Sequence, residues 1–164
     1  MRRAEILALF DYSYWANELV LDAAAELPPE ELTRPADLTW RNLRDTLVFA
    51  LDVERSWRIR LQGQPPERWD TTLDPEDYPA VADIAEHWRR DEAEMRAWLD
   101  DLDDETLSAV VDLGPEDRFP LWTFLLHMFT HGAQQRRDAV LLLKRAGVEP
   151  PELDFLYYAD DLQD

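Results

Sequence analysis

Between Pro120 and Gly147 the sequence runs PLWTFLLHMFTHGAQQRRDAVLLLKRAG, and this stretch constrains the fold more than any other. It predicts one long helix. Pro120 suits a first helical turn, where its missing N–H removes nothing, and Gly147 after Lys144 and Arg145 suits a left-handed stop. Leu121, Phe124, Leu125, Met128, Ala139 and Leu142 recur at helical spacing and make an apolar stripe, so the helix needs partners to cover it. His131 and Gln135 fall on that same stripe, one turn apart. A polar group facing a core has to be hydrogen-bonded, paired or functional.

The partners are legible upstream. A first helix is predicted from Arg3 to Glu26, with Ile6, Leu9, Phe10, Ser13, Ala16, Asn17, Val20 and Ala24 near one face and Pro28-Pro29 stopping it. A loop from Leu27 to Trp40, with room for one turn at Glu30 to Leu32, leads to a second helix from Asn42 to Leu61. Asn42 with Asp45 three residues on reads as its capping signal, and Gly63 with Pro65-Pro66 closes it. Leu43, Leu47, Ala50, Trp57 and Leu61 share a stripe that Glu54 interrupts. Residues 62 to 78 read as loop. Pro79 opens a third helix reaching Asp101 through Val81, Ile84, Trp88, Met95, Trp98 and Leu99. The β-prone pair Val110-Val111 has no visible partner strand, so residues 107 to 113 are predicted to be an extended connection. The tail from Glu152 to Asp164, with Leu153, Phe155, Leu156, Tyr157 and Tyr158, is expected to pack on the helices. Four helices of this length, one pair joined by a long connection, predict an all-α four-helix bundle spanning residues 1–164 as a single domain.

Composition narrows the function classes. The chain has 164 residues, 46% apolar, enough to fill one core. Its formal net charge of −19 sets 36 acidic residues against 17 basic ones, of which only Lys144 is a lysine. Such a surface repels nucleic-acid phosphates and anionic headgroups, so neither nucleic acid nor membrane is an expected partner. There is no cysteine, which removes thiol nucleophiles and thiolate ligands and leaves imidazole, carboxylate and amide for any chemistry. Met1-Arg2-Arg3 leads straight into an amphipathic segment with no signal-like apolar run, and the expected location is cytoplasmic.

Bundle cores build sites from side chains projected inward, and the inward polar candidates are Asn17, Glu54, His127, His131 and Gln135. The bland alternative for Glu54 is a structural ion pair with Arg136 from the last helix, and that pairing is the expectation. His127 and His131 are four apart, a spacing that presents two imidazoles to one ion or simply two hydrogen-bonded side chains.

Several stretches, in this order and spacing, resemble the DinB/YfiT-like superfamily over nearly the whole chain. These are Tyr14-Trp15-Ala16-Asn17; Arg44-Asp45-Thr46-Leu47-Val48 with Glu54, Trp57, Leu61 and Gly63; Leu121-Trp122 through His127, His131-Gly132 and Arg136; and Gly147-Val148-Glu149-Pro150-Pro151. The resemblance implies a four-helix bundle holding a divalent metal, often nickel or zinc, on three histidines, one from the second helix and two spaced four apart on the fourth. Here those positions fall on Phe49, His131 and Gln135, so two of three ligands are replaced and the expected set is degenerate. Phenylalanine cannot coordinate, and an amide oxygen is a poor ligand for an ion that prefers imidazole. No resident cofactor is expected. If zinc or nickel is held, His127 and His131 with Asp52 or Glu54 are the replacement ligands.

The activity implied by the resemblance is hydrolase-like or the transfer of a low-molecular-weight thiol of the bacillithiol or mycothiol type, with the ion lowering the thiol pKa. His131 is the candidate base in its absence. Three readings stay open: a transferase or hydrolase with a reduced site, a metal-free small-molecule binding module using Asn17, Phe49, Glu54, His127, His131, Gln135 and Arg136, and a structural or interaction protein acting as a homodimer.

Overall fold

The computed structural model describes residues 1–161. Its elements in chain order are α1 (Arg3–Ala25), α2 (Pro29–Leu32), α3 (Leu43–Leu61), α4 (Pro66–Trp69), α5 (Val81–Asp100), α6 (Asp104–Ser108), β1 (Val110–Asp112), β2 (Arg118–Pro120), α7 (Leu121–Arg145) and α8 (Phe155–Asp161), with a 3-10 turn at Pro75–Asp77 before α5. The long helices α1, α3, α5 and α7 form the bundle expected from the sequence. Helix α7 packs on both α1 and α3, and α5 closes the ring by packing on the same two. The ring therefore has an α3–α7 face and, on the opposite side, an α1–α5 face.

Local chemistry fixes the helix ends. The Asn42 side chain accepts from the Asp45 amide at 2.9 Å, satisfying one of the free donors of the first turn of α3. At the other end Gly63 takes φ 72°, and the Gln64 and Gly63 amides bond back to the carbonyls of Ile59 and Arg60. Gly147 (φ 87°) repeats this at the end of α7, with Val148 and Gly147 bonding to Leu143 and Lys144. Both are Schellman stops, which need a residue without a β-carbon.

Several segments depart from expectation, among them Leu107 and Ser108, expected in an extended connection, which end helix α6 instead. Residues 62 to 78 carry α4 and the 3-10 turn. Val110–Asp112 does find a partner: β1 pairs antiparallel with β2, Val110 opposite Pro120 and Asp112 opposite Arg118. The partner is three residues long and ends in proline, too short to leave a period-two signal. Pro120 consequently ends β2 with an extended ψ of 144° and precedes the first turn of α7. The tail packs on the bundle as far as it is described, to Asp161, with residues 162–164 of the expected segment lying outside the described residues. Tyr158 of α8 is buried and its ring is 5.8 Å from that of Tyr12 and 5.5 Å from that of Trp15, both on α1.

The core is split along the bundle axis. One apolar cluster gathers Val20, Leu47, Leu51, Ile84, Ala139 and Leu143; the other gathers Ile6, Phe10, Met95, Leu99, Leu125 and Met128. Leu51, Ile84, Met95, Leu125 and Leu143 are essentially sealed from solvent, and truncating any of the leucines to alanine is expected to cost about 2–5 kcal/mol. Between the clusters every long helix contributes buried polar side chains: Ser13 and Asn17 from α1, Arg58 from α3, Asp91 from α5 and Arg136 from α7.

Candidate functional site

Three separate connections run through the polar belt, and they leave Asn17 Nδ2, Arg58 Nε and Asp91 Oδ2 buried without a partner. Arg136 donates to Asn17 Oδ1 at 2.9 Å and to Ser13 Oγ at 3.4 Å, joining α7 to α1. Gly132 lies one turn before it, and a β-carbon there would stand 3.3 Å from Arg136 Nη1. This mid-helix glycine, which costs about 1 kcal/mol against alanine, gives the guanidinium its room. Tyr14 donates its hydroxyl to Glu54 Oε1 at 2.9 Å, joining α1 to α3. Arg58 forms an ion pair with Asp91, both almost fully buried, and reaches Glu94 at 2.7 Å, joining α3 to α5.

The expected Glu54–Arg136 ion pair is not formed. The guanidinium is engaged by neutral oxygens of α1, and Glu54 faces a phenol. Burial, followed by the negative charge of Asp91, pushes the Glu54 carboxyl up to about 7 against the opposing effect of the Tyr14 hydrogen bond. The Tyr14 hydroxyl is driven well above its ordinary value by burial and then by Glu54. Burial lowers the Arg136 pKa. A carboxyl poised near neutrality with a neutral donor beside it can carry or release one proton inside the bundle.

Arg58 and Asp91 were not singled out from the sequence. The signal was present: Asp91 occupies a gap between Trp88 and Met95 on the apolar stripe of α5, and Arg58 lies one turn after Glu54 on α3. Charged residues at such positions read as surface until their partner on the facing helix is known.

Phe49, His131 and Gln135, the positions onto which the resemblance places a metal-ligand set, lie on α3 and α7. Phe49 and His131 meet edge to face with ring centroids 5.5 Å apart, and the Arg41 guanidinium sits 3.7 Å over the Phe49 ring. Both aromatic residues are half-buried. Gln135 borders a small inner void together with Asn17, Thr46, Leu47 and Arg136. His127 is exposed, its ring 5.4 Å from Trp57 and 6.2 Å from His131. The His131 imidazole is held below its ordinary pKa, by burial first and then by His127 and Arg41. Asp52 is buried, accepts from the Leu73 amide at 3.1 Å, and has its pKa raised by burial. Among the described residues, no three His, Cys, Asp or Glu side chains are grouped so as to hold a metal ion. A hydrocarbon ring stacked under a guanidinium cation fills the place of one family ligand, so this donor set does not fit a divalent ion.

A cavity of about 590 Å³ is on the opposite, α1–α5 face. Tyr14, Trp15 and Asn17 of α1, Trp88 of α5 and Tyr158 of α8 help to line it. That volume suits a small organic molecule. No helix among the described residues is long and apolar enough to cross a membrane.

A family model described as the DinB family matches residues 1–163. A crystal structure described as the conserved protein of locus from Enterococcus faecalis superposes with a TM-score of 0.57, covering 83% of this chain and 93% of that one at 18% identity. At that identity the likeness extends to the fold. No curated protein matches the sequence.

Proposed function

The chain belongs to the DinB family, and on that premise we propose that it is a metal-free, small-molecule binding member of it. The observation that carries this reading is the Phe49 ring lodged against His131 beneath Arg41. A divalent ion there would meet one imidazole, a ring face and a fixed positive charge, whereas catalytic zinc sites supply three protein ligands. Thiol transfer loses its activating device with the ion. A free thiol of pKa ~8.5 is only a few per cent thiolate at neutral pH, and His131, with its lowered pKa, is a weak base for raising that fraction.

The test is elemental analysis of protein purified without chelator, followed by calorimetric titration with zinc and nickel and an assay for bacillithiol and mycothiol conjugation to a haloalkyl electrophile. The expected result is far less than one ion per chain, weak zinc and nickel binding, and no thiol conjugation above the uncatalysed rate. One zinc or nickel per chain that survives gel filtration overturns the reading.

A further inference from the structure

The buried amide nitrogen of Asn17, Nδ2, and the indole nitrogen of Trp88, Nε1, have no hydrogen-bond partner. Both residues are 5% exposed, and both line the 590 Å³ cavity between α1 and α5. A buried N–H left without an acceptor costs about 1–3 kcal/mol, so two of them on side chains that line one cavity call for an acceptor there. The same two side chains also border the inner void of about 10 Å³, which is on the scale of a single water.

We propose that the α1–α5 cavity is a binding site for a flat apolar molecule carrying a hydrogen-bond acceptor, such as a ketone or tertiary amide carbonyl, and that it admits neutral or cationic molecules and rejects anions. The acceptor meets Asn17 Nδ2 and Trp88 Nε1, which lie just beneath the lining, as these side chains turn towards it. The flat body lies among the rings of Trp15, Trp88 and Tyr158, which supply apolar area with directional edges and faces. Asn17 is held for this task, because its carbonyl is already used by Arg136 and only its N–H₂ is free.

The rim sets the charge preference. Asp11, Glu18, Asp22 and Glu92 line the cavity against Arg89 and Arg96. Arg96 is spent on Asp11 and on Glu92, the latter at 2.7 Å. Glu18 and Asp22 are exposed at the mouth, on a protein of net charge −19. Arg89 is exposed on the same rim and offsets part of this charge, but four carboxylates still face two guanidiniums, so an incoming carboxylate meets net repulsion.

This site lies across the bundle from Phe49 and His131. It rests on the binding-protein reading only for its use, since the two orphaned donors are there whether or not a metal is bound. The experiment titrates three matched probes, N,N-dimethyl-2-naphthamide, 2-isopropylnaphthalene and 2-naphthoate, in the presence of EDTA, so that metal uptake cannot influence the result. The amide is expected to saturate one site and to bind more tightly than the hydrocarbon and the carboxylate. Trp88→Phe removes the indole N–H together with part of the ring, and Asn17→Asp replaces the side-chain NH₂ with an oxygen while keeping the one used by Arg136. Each should weaken the amide about fivefold more than it weakens the hydrocarbon, about 1 kcal/mol of selectivity. Glu18→Lys with Asp22→Lys, both at exposed positions, should raise 2-naphthoate affinity at least about threefold at low salt, a gain that salt screening removes. Absence of saturable amide binding, amide and hydrocarbon bound alike, or no response to the lysine pair overturns the proposal. Should neither buried variant fold, the lysine pair decides it alone. Stoichiometric zinc in the untreated protein would sink the metal-free reading and leave this cavity's selectivity standing.

Discussion

The Tyr14 hydroxyl donates to Glu54 Oε1 at 2.9 Å and so ties α1 to α3 at the level where the core turns polar. Two further connections at that level, Arg136 to Asn17 and Arg58 to Asp91, tie α7 to α1 and α3 to α5. Each side chain in the belt has its partner on a different helix. Sliding any long helix by one turn would strand several buried polar groups at once, so the belt fixes the register that two interchangeable apolar clusters would leave loose.

Glu54 makes folding stability depend on pH in a definite direction. Its folded pKa, about 7, lies above its unfolded value. Between the two the folded protein holds a proton that the unfolded chain has released, so this group's contribution is full below about pH 4.3 and is lost as pH rises through 7. Glutamine stays neutral and still accepts from Tyr14. Glu54→Gln is therefore expected to be more stable than the parent at pH 8, by up to about 3 kcal/mol, and close to it at pH 5. Urea denaturation at both pH values checks this. A variant less stable than its parent at pH 8 would restore the Glu54–Arg136 ion pair.

The Arg58–Asp91 pair is almost fully buried, and breaking it leaves a lone charge in the core. Asp91→Ala is expected to cost about 3–5 kcal/mol, whereas Arg58→Met with Asp91→Leu should recover most of that loss. Thermal and urea denaturation of the two singles and the double measure the coupling. A double variant as unstable as the sum of the singles would show that the pair is not what matters at this level.

The docking of α8 gives a separate test. Tyr158 is 8% exposed and sits against Tyr12, Trp15 and Phe155, and Tyr12 donates its hydroxyl to the Leu153 carbonyl at 2.6 Å. Tyr158→Ala should cost about 2–4 kcal/mol, the range for large-to-small changes at a well-packed site. It should also release the tail to limited proteolysis before the bundle melts. Unchanged cleavage kinetics would mean that the tail is held elsewhere.

The bundle was legible because its helices are long and strongly periodic, with proline and glycine at their ends: α1 and α3 run within a residue of expectation. The hairpin was not, because three residues ending in Pro120 carry no alternation of their own. The site divides in the same way. Phe49 and His131 could be placed together only through the family resemblance, because Phe49 lies off the stripe of Leu43, Leu47, Ala50, Trp57 and Leu61 and helix spacing alone does not bring it to His131. Arg58 and Asp91 could not, because a charged residue on a stripe looks like surface until the facing helix supplies its counter-charge. Asn17 was legible as an inward polar residue, but the lack of an acceptor for its NH₂ and for the Trp88 indole N–H has no sequence signal, being defined by what is missing around them.

The last prediction asks whether the α3–α7 face still encodes the family's metal geometry. The Phe49 and His131 ring centroids are 5.5 Å apart. Two imidazoles bound to one tetrahedral zinc at ~2.0 Å have centroids about 5 Å apart, so a histidine at position 49 needs only a small adjustment to share an ion with His131. Gln135 lies one turn beyond His131 on α7 and supplies the third position. Each single variant, Phe49→His or Gln135→His, should gain little, because two protein ligands compete poorly with the hydration of the ion. Arg41 loses its ring partner in Phe49→His, and its charge then opposes the incoming cation. The double variant Phe49→His/Gln135→His should nevertheless bind zinc or nickel at least tenfold more tightly than either single, which requires only ~1.4 kcal/mol. Adding Arg41→Ala should increase the affinity further by removing the opposing charge. Folding has to be verified first, since loss of the phenyl ring costs up to about 3–5 kcal/mol. A folded double variant that binds no better than its parent by calorimetry, with or without Arg41, would mean that Gln135 does not converge with positions 49 and 131.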